Sequence, residues 1–520
     1  MSKVANKVAM EGQERLSSRN LWSFSLGGVG RDLMYQLFNT YMLTCILLTK
    51  GVNTAEFAIV GVVIMCCRIF DALNDPIMGS IIEITRTKWG KFKPWIMIGA
   101  ITNSIVVFLM FWVPLKGMSF VIFFAVMYII WSITFTMNDI SYWSMLPSLT
   151  SHHEDRDKLS SIANICAGIG AGLATIIVPT LTTGELTIGG SATTAFPVLA
   201  VVIGLIFIGC QLMTSLCVKE KPLPPLDPNR PKSNPLKKIF KVLKGNDQLR
   251  WTAIIMFIHN LGSSILGGLS TWYVYFRFGY EGALVSLFGI LTGIAGAILV
   301  IYPLLAKKFN RRQISKICLI LIYIGYGVML GLGLATQNIQ ESWVFYPIAL
   351  SGAFWAIGQA VFYQVQTITI ANSVEYNEWK TGEREEGIIF SIRPLAAKMG
   401  SAAQMGVVTV ILSLLKIADI TDMISEQENL ANMGTITEAA KLANIKEIIA
   451  QVPTEVTTWL LVCMTVLPMV IMTIAVILYL KKSKLDEQMY ERMHADIEAR
   501  KQGVQEKENK KVVVLKKVKF

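Results

Sequence analysis

Long apolar stretches recur along the whole of this 520-residue chain and constrain its fold more than any other feature. A helix needs about 18 to 20 apolar residues to cross the hydrocarbon core of a bilayer, where its backbone must satisfy its own hydrogen bonds. We place twelve such helices, at 22–49, 57–83, 95–115, 119–146, 160–183, 195–218, 251–276, 283–305, 314–335, 344–371, 387–415 and 456–480. Only 16% of the residues are charged, against about 25% in soluble proteins. The sequence therefore predicts an all-α membrane protein.

Basic residues are concentrated in alternate connections between the predicted helices. The second, sixth and eighth connections carry most of them, whereas the connections on the other side are nearly bare of Lys and Arg. Because cytoplasmic loops of membrane proteins are enriched in Lys and Arg, this pattern predicts a multi-pass protein of the cell membrane with both termini cytoplasmic. Topology thus accounts for the net charge of +12, and we expect no nucleic-acid partner.

A polar segment at 219–250, with six prolines, separates six predicted helices from the next six. Its composition indicates a semi-extended cytoplasmic linker. A short basic connection follows the second helix of each group, so the groups look like parallel repeats. Two such six-helix bundles, with a site between them, are typical of the major facilitator fold. We therefore predict pseudo-symmetric bundles at 1–218 and 251–481, followed by a basic cytoplasmic tail at 482–520.

Three polar residues, Asp71, Asn74 and Asp75, interrupt the second apolar stretch. Spacings of three and four residues place them on one face of a helix. A carboxylate at mid-bilayer costs roughly 2.5–3.5 kcal/mol, so two together require a compensating positive charge. Hard cations prefer carboxylate and amide oxygens, although the acids can instead share a proton, and Arg68 is a competing counter-charge. The stretch therefore predicts a cation site buried in the membrane.

The fourth apolar stretch carries Thr136, Asp139 and Trp143 at spacings that share one helix face, and the first contains Arg31 and Asp32. A carboxylate accepts hydrogen bonds from sugar hydroxyls, while an indole ring covers an apolar face of the sugar. This combination favours a polyhydroxyl ligand. The sequence shows no nucleophile with its base, no zinc-ligand set and no phosphate loop, so we do not expect an enzyme.

The two predicted halves differ in the ionisable residues within their helices. All four membrane aspartates belong to the first half. The second half carries Arg393 and Lys398, both in the eleventh predicted helix of the chain. Acidic and basic surfaces facing each other across a water-filled cavity lower the desolvation cost of both. The alternative is that these residues form structural ion pairs between helices.

Several stretches resemble the glycoside–pentoside–hexuronide:cation symporter family of the major facilitator superfamily. They are Arg68–Gly79, Lys88–Trp95, Asp139–Trp143, Glu375–Gly387 and Lys398–Ser401, within residues 30–400. The resemblance implies a twelve-helix transporter that couples a cation to the uptake of a glycoside.

The resemblance also implies roles for individual residues. The cation site would comprise Asp71, Asn74, Asp75 and Thr136, with the two aspartates as the Na⁺ ligands. The sugar site would comprise Asp32, Asp139, Trp143, Arg31, Asn164, Tyr363, Arg393 and Lys398, the last linking both sites electrostatically. A cytoplasmic gate would comprise Arg156, Arg311, Glu378 and Arg384. Four sugar-side positions depart from the family pattern, namely Arg31, Asn164, Tyr363 and Arg393.

We therefore predict symport of a glycoside or oligosaccharide with a cation, by alternating access, with no cofactor beyond the coupling ion. Neutral oxygens from Asn74 and Thr136 favour Na⁺, and H⁺ is the alternative. If Arg393 faces the cavity, it suits the carboxylate of a hexuronide, so proton-coupled glucuronide symport stays open. A lysolipid transporter is a further alternative. We expect a monomer in the lipid bilayer.

Overall fold

The computed structural model describes residues 16–150, 153–220, 235–293, 302–337, 342–382 and 385–485, and beyond these 489, 491–493, 495–497 and 499. The first helices are α1 (Ser18–Thr49), α2 (Thr54–Ile84), α3 (Lys93–Trp112), α4 (Gly117–Met145), α5 (His153–Thr182), α6 (Ala192–Cys217), α7 (Pro235–Gly245) and α8 (Asp247–Phe278). The remaining helices are α9 (Gly282–Gly293), α10 (Tyr302–Lys308), α11 (Arg311–Ala335), α12 (Phe345–Thr381), α13 (Glu386–Leu414), α14 (Ile417–Asn432), α15 (Glu438–Ala450) and α16 (Thr454–Lys482). The prediction of an all-α protein is confirmed.

The long helices coincide with the predicted membrane spans. Every predicted span corresponds to a single helix except the eighth, which α9 and α10 share, and residues 294–301 between them lie outside the described part. Nine of the described helices are long and apolar enough to cross a membrane by length and composition. Ile122 and Leu205 are each 64% exposed, as lipid-facing residues of such helices are. The protein is thus a multi-pass membrane protein.

Helices that precede the linker in sequence pack directly against helices that follow it. Helix α2 packs against α13, and α5 packs against α9. Close approach within each half depends on small residues: a Cβ at Gly99 would lie 2.7 Å from the backbone nitrogen of Asn138, and one at Gly325 would lie 2.5 Å from that of Trp355. The polar residues described below lie mainly on α1, α2, α4 and α13.

The linker is not extended throughout. Residues 235–245 form α7, which packs against α8 and α13, so the expectation of a semi-extended segment is wrong for this part. Pro235 suits the first position of a helix because it has no N–H to leave unpaired. Ile239 and Val242, one turn apart, are buried. Burial of this apolar face stabilises the helix although prolines precede it in the linker. Residues 221–234 lie outside the described part.

Between α13 and α16 the chain forms a helical hairpin, α14–α15, that hydropathy does not predict. Lys416 adopts a left-handed conformation with φ of 52° and separates α13 from α14. Thr437 caps α15 by accepting a hydrogen bond from the backbone N–H of Ala440 at 3.2 Å. We call the side of the molecule that carries α14–α15 the hairpin end, and the side that carries the linker the linker end.

Candidate functional site

The first polar cluster lies between α1 and α4 and is organised by Arg31, which is only 4% exposed. Its Nη2 lies 2.5 Å from Asp32 Oδ2, and its Nη1 lies 2.6 Å from Asp139 Oδ1. One guanidinium group therefore holds two carboxylates, which are only 22% and 26% exposed. Charge-assisted hydrogen bonds of this kind fix both carboxylates in place. The exposed fraction of each carboxylate leaves it accessible to a ligand.

Aromatic rings cover the guanidinium group of Arg31. Its Cζ lies 4.7 Å from the ring centroid of Trp143 and 4.9 Å from that of Tyr142, which are cation–π distances. Tyr142 is fully buried, stacks on Phe24 with centroids 4.3 Å apart, and donates to the Phe24 carbonyl at 2.6 Å. The four predicted sugar-binding residues on α1 and α4 thus form a single, well-supported cluster.

The second polar cluster joins the two halves of the chain. Lys398 on α13 donates a hydrogen bond to Asp75 Oδ2 on α2. Thr136 Oγ1 on α4 donates to the other carboxylate oxygen of Asp75 at 3.3 Å. The side chains of Asp75 and Lys398 are 18% and 29% exposed, so water reaches both. An ammonium group therefore stands beside one of the two carboxylates predicted to hold a cation.

Asp71 is more deeply buried than Asp75, at 7% exposure, and accepts a hydrogen bond from Ser132 on α4. The Nδ2 of Asn74 is buried with no acceptor among the described residues. Two carboxylates with nearby hydroxyl oxygens of Ser132 and Thr136 form an all-oxygen set of the kind that hard cations accept. Within the described residues, no group of three or more His, Cys, Asp or Glu side chains could hold a metal ion. A cation at this site would therefore depend on the neutral oxygens.

Arg68, predicted as a competing counter-charge for Asp71, is directed elsewhere. It is 4% exposed and donates hydrogen bonds to Asn39 on α1 and to Ser401 on α13. Among the described side chains, no ion pair forms between Arg68 and Asp71. Arg68 thus connects three helices close to the cation cluster without capping the carboxylate.

Helix α4 belongs to both clusters. Ser132 and Thr136 are one turn apart and donate to the two aspartates of α2. Asp139 and Trp143 follow on the same face and contact Arg31. The spacings of four, three and four residues keep all four side chains on one side of the helix. The sequence identified three of these residues, and it gave no signal for Ser132.

The remaining predicted sugar-binding residues lie apart from the Arg31 cluster. Arg393 Nε donates to the Tyr363 hydroxyl at 3.1 Å, and its Cζ lies 5.3 Å from the ring centroid. Asn164 is exposed and donates to the backbone carbonyl of Ser160, on its own helix, at 2.8 Å. In the part of the chain that the structure describes, none of the three forms a hydrogen bond or ion pair with the Arg31 cluster. Their role in sugar binding stays a prediction.

The predicted gate residues are described only in part. Arg311 Nη1 donates to the backbone carbonyl of Leu485 at 3.1 Å, and Glu378 lies in the last turn of α12, at the linker end. Arg384 and the side chain of Arg156 lie outside the described residues. The gate network therefore stays a prediction.

A buried ion pair at the hairpin end was not anticipated. Lys441 Nζ on α15 lies 3.4 Å from Glu428 Oε2 on α14, and both side chains are 0% exposed. Glu428 also accepts from the backbone N–H of Ala192 at 2.7 Å and from the Tyr280 hydroxyl at 3.0 Å. Lys441 donates to the carbonyl of Gly190 at 2.7 Å. Burial and the charge of Glu428 raise the pKa of Tyr280 well above its usual value, so its hydroxyl stays protonated and donates.

This network connects the α5–α6 segment, before the linker, to α14 and α15, after it. Ser191 and Thr194 reinforce it by donating to the Glu428 carbonyl at 2.8 Å and to Asn432 Oδ1 at 2.6 Å. The contacts join residues more than 200 positions apart, and no local motif marks them. Sequence reasoning therefore had no means of finding this closure of the hairpin end.

Comparisons with known proteins agree with this architecture. The family model described as MFS/sugar transport protein matches residues 23–487. The lactose permease of Lactobacillus delbrueckii subsp. bulgaricus is 29% identical over 397 residues, which cover 73% of this chain and 60% of that protein. The raffinose carrier protein of Pediococcus pentosaceus is 30% identical over 402 residues, which cover 74% and 60%. The chain thus spans about 60% of the length of these two curated relatives.

A solved structure shows the same fold. The crystal structure of a bacterial homologue of the human lysosomal transporter Spinster, inward-facing and unoccupied, matches with a TM-score of 0.61 and 12% identity. The match covers 90% of this chain and 97% of that one. At this level of identity the likeness concerns the fold alone, and the predicted major facilitator fold is confirmed.

Proposed function

The chain belongs to the MFS/sugar transport protein family, and we propose that it carries a glycoside or oligosaccharide across the cell membrane together with a monovalent cation. Family membership confirms the resemblance to glycoside–pentoside–hexuronide:cation symporters and makes the protein a transporter, not an enzyme. Relatives named as a lactose permease and a raffinose carrier support a sugar substrate. The observation that carries the proposal is that α4 supplies side chains to both polar clusters.

Through α4, a change in one cluster is transmitted to the other. Thr136 contacts Asp75, and Asp139, three residues later, contacts Arg31. Three residues correspond to a rise of roughly 4.5 Å along the helix. A cation that engages the Thr136 oxygen therefore positions the carboxylate that accepts hydrogen bonds from the sugar. Reciprocity requires the bound sugar to raise the cation affinity by the same factor.

The charges at the centre of the molecule support coupling to a single cation. The two clusters and the adjacent Arg68 hold four aspartates and three basic side chains, so one negative charge is left there when all seven are ionised: Asp32, Asp71, Asp75 and Asp139 against Arg31, Arg68 and Lys398. Arg393 lies apart from both clusters, against Tyr363, and is not part of this balance. Net charge inside a membrane protein is costly, and one bound monovalent cation removes it. We therefore propose one cation per sugar.

The closed hairpin end supports an assignment of the transport state. The Glu428 network holds the halves together there, and the basic connections favour a cytoplasmic linker end. We infer a carrier whose external side is closed. Reopening that side requires the halves to rock apart, as in other transporters built from repeats, and this motion breaks the contacts of Glu428 with Ala192.

The donor set favours Na⁺ over H⁺. Thr136 and Ser132 place hydroxyl oxygens against Asp75 and Asp71, and a proton needs no such additional ligands. In the cation-loaded state, Na⁺ competes with the Lys398 ammonium group for Asp75, because both are drawn to the same carboxylate. This competition would link cation binding to the contact between α2 and α13.

Transport by reconstituted protein tests the proposal. Proteoliposomes are assayed for uptake of radiolabelled lactose, melibiose, raffinose and a glucuronide under an imposed Na⁺ gradient or pH gradient. We expect accumulation of at least one galactoside with Na⁺, and loss of that accumulation in Asp75→Asn, which keeps the size of the side chain and removes its charge. Unchanged Na⁺ stimulation in the variant contradicts the cation-site assignment. Glu185→Gln, at an exposed acid in the α5–α6 connection, is the matched control.

A second candidate function is proton-coupled symport of a hexuronide. The specific observation in its favour is that Arg393 is exposed while its Nε bonds only to the neutral hydroxyl of Tyr363 among the described residues, so its charge is not balanced by an acid there. A guanidinium group of this kind binds a carboxylate well. Accumulation of the glucuronide driven by a pH gradient, and lost in Arg393→Gln, would select this function over galactoside transport.

A further inference from the structure

A second polar pocket lies between the two halves, on the hairpin side of the Asp75–Lys398 pair. Its volume is about 400 Å³, within the usual range of roughly 300–1,000 Å³ for small-molecule sites. Helices α1, α2 and α5 supply one side, and α8, α9, α12 and α13 supply the other. None of the predicted sugar-binding residues is part of this lining. We call it the hairpin-side pocket.

The lining chemistry suits an uncharged polyhydroxyl ligand. Neutral hydrogen-bonding side chains predominate, including Gln36, Asn39, Thr40, Ser263, Thr271 and Gln404. The indole side chains of Trp272 and Trp355 also line the pocket, and Arg68 is the one charged side chain in the described lining. Amides, hydroxyls and indole rings are the groups that bind sugar hydroxyls and cover sugar faces. A lipid tail would instead require an apolar lining.

Two buried donors of the pocket lack acceptors. The Nε of Arg68 and the Nε1 of Trp355 have no hydrogen-bond partner among the described residues, and the two side chains are only 4% and 9% exposed. An unpaired buried donor costs about 1–3 kcal/mol, so native proteins rarely leave one without a purpose. A ligand with several oxygen atoms in the pocket would bring hydrogen-bond acceptors next to both residues.

A polar face of α1 connects this pocket to the Arg31 cluster. Asp32, Gln36, Asn39 and Thr40 follow at i, i+4, i+7 and i+8 and are partly or fully exposed, whereas Leu37 between them is buried. Eight residues of helix rise by about 12 Å, so Thr40 lies well beyond the reach of one pyranose ring bound at Asp32. A ligand of two or more rings could follow this face from one site to the other.

We propose that the hairpin-side pocket binds a second sugar ring, so the substrate is an oligosaccharide of at least two rings. One ring lies against Asp32, Asp139 and Trp143, and the next occupies the pocket. The inference rests on the proposed sugar transport and specifies its substrate class. Because Arg68 bonds to Ser401, one turn beyond Lys398 on α13, occupation of the pocket also reaches the helix that contacts the cation cluster.

Gly267 offers a direct test, because it lines the pocket and a Cβ at this position meets no atom within 4 Å. Gly267→Leu therefore fills the pocket without a clash at its Cβ. Gly327→Leu is the matched control, since Gly327 is also an exposed helical glycine whose Cβ would meet nothing within 4 Å, and it does not line the pocket. Affinities are measured on purified protein by calorimetry in Na⁺ buffer.

The probes are one-ring methyl α- and β-D-galactopyranoside, two-ring lactose and melibiose, and three-ring raffinose. We expect wild type to bind at least one of the longer sugars at least tenfold more tightly than the methyl galactosides. Gly267→Leu should weaken the longer sugars at least tenfold more than the methyl galactosides, and Gly327→Leu should change neither. Equal weakening of both classes by Gly267→Leu, or no preference of wild type for the longer sugars, overturns the inference.

Trp355→Phe gives an independent measurement, because it removes one unpaired donor and keeps an aromatic ring. We expect about tenfold weaker binding of the longer sugar, with a smaller effect on the methyl galactosides. An unchanged affinity for the longer sugar contradicts the assigned hydrogen bond and overturns the pocket's role. A wild-type protein that binds none of the five sugars overturns the galactoside transport expected above and this inference with it, and that result differs from selective failure of the pocket variants.

Discussion

Two lysine–carboxylate pairs lie where the halves of this protein meet, and their surroundings differ sharply. The Asp75–Lys398 pair is 18% and 29% exposed, and its carboxylate has one further partner, Thr136. The Glu428–Lys441 pair is 0% exposed, and every charged end also bonds to backbone or to Tyr280. The central pair can exchange partners with a cation or water, whereas the hairpin-end pair can separate only if the surrounding structure opens.

The difference shows that the role of an ion pair between helices depends on how deeply the pair is buried. Removing one partner of a fully buried pair leaves an uncompensated charge and costs about 3–5 kcal/mol, whereas pairs with access to water are screened and contribute less. We therefore assign the hairpin-end pair to the stability of the closed state and the central pair to the transport cycle. Four predictions test this distinction.

The largest effect is expected from Glu428→Ala. Lys441 would be left buried and without its carboxylate, so the free energy of unfolding in detergent should fall by about 3–5 kcal/mol. Denaturant titration with a spectroscopic readout measures it. Glu426→Ala, at an exposed acid of the same helix, is the control and should stay close to wild type. A loss below about 1 kcal/mol would show that the pair is not the lock at the hairpin end.

Replacing both partners of each pair should show that one pair serves stability and the other serves transport. In Glu428→Met with Lys441→Met, apolar side chains of similar length fill the buried space, so we expect most of the stability of wild type to return. In Asp75→Asn with Lys398→Met, we expect a stable protein that no longer accumulates sugar. Thermal unfolding and proteoliposome uptake are measured on the same samples. Full accumulation by the central double variant would contradict the assignment of that pair to coupling.

An intermediate effect is expected from Arg31→Lys. One ammonium group cannot reproduce the fork by which Arg31 holds Asp32 and Asp139 together. Sugar affinity should therefore fall about tenfold, equivalent to roughly 1.4 kcal/mol, while the cation affinity without sugar changes little. Calorimetry with each ligand alone measures both, and Arg19→Lys, at an exposed arginine near the start of α1, is the control. Equal losses for sugar and cation would show that the clusters are not separate sites.

The smallest effect is expected from Thr136→Val. Loss of a single hydroxyl near Asp75 removes one neutral ligand, so the Na⁺ concentration for half-maximal uptake should rise about threefold to tenfold. Thr136→Ser, which keeps the hydroxyl, should behave like wild type. Thr102→Val, at a half-buried threonine that bonds within its own helix, is the control. If Thr136→Val and Thr136→Ser act alike, the hydroxyl does not contact the cation.

Much of the fold could be predicted because the membrane imposes local rules. Each span must be apolar over a set length, so the helix positions were readable from hydropathy, and the polar stretch at 219–250 marked the middle of the chain. Helix α7 was missed because the prolines upstream concealed a short amphipathic segment, and the α14–α15 hairpin was missed because it is too polar and too short to resemble a span.

The candidate site could be predicted from the sequence only where its residues share one helix. Periodicity placed Asp71 with Asp75 and Asp139 with Trp143, since residues three and four apart share a helix face. Periodicity could not show that Arg31 would hold both Asp32 and Asp139, because Arg31 and Asp139 lie on different helices and are 108 residues apart in sequence. Nor could it show that Arg68 would turn from Asp71 toward Asn39 and Ser401.

The sequence by itself determined that the chain is a membrane protein with charged groups inside its helices, because burying charge in lipid is too costly to occur without a partner or a function. Only the tertiary structure decided which charges meet. It brought Lys398 to Asp75, enclosed Glu428 with Lys441, and left a polar pocket between the halves. These outcomes depend on how helices distant in sequence pack together, and hydropathy and local spacing carry no information about that packing.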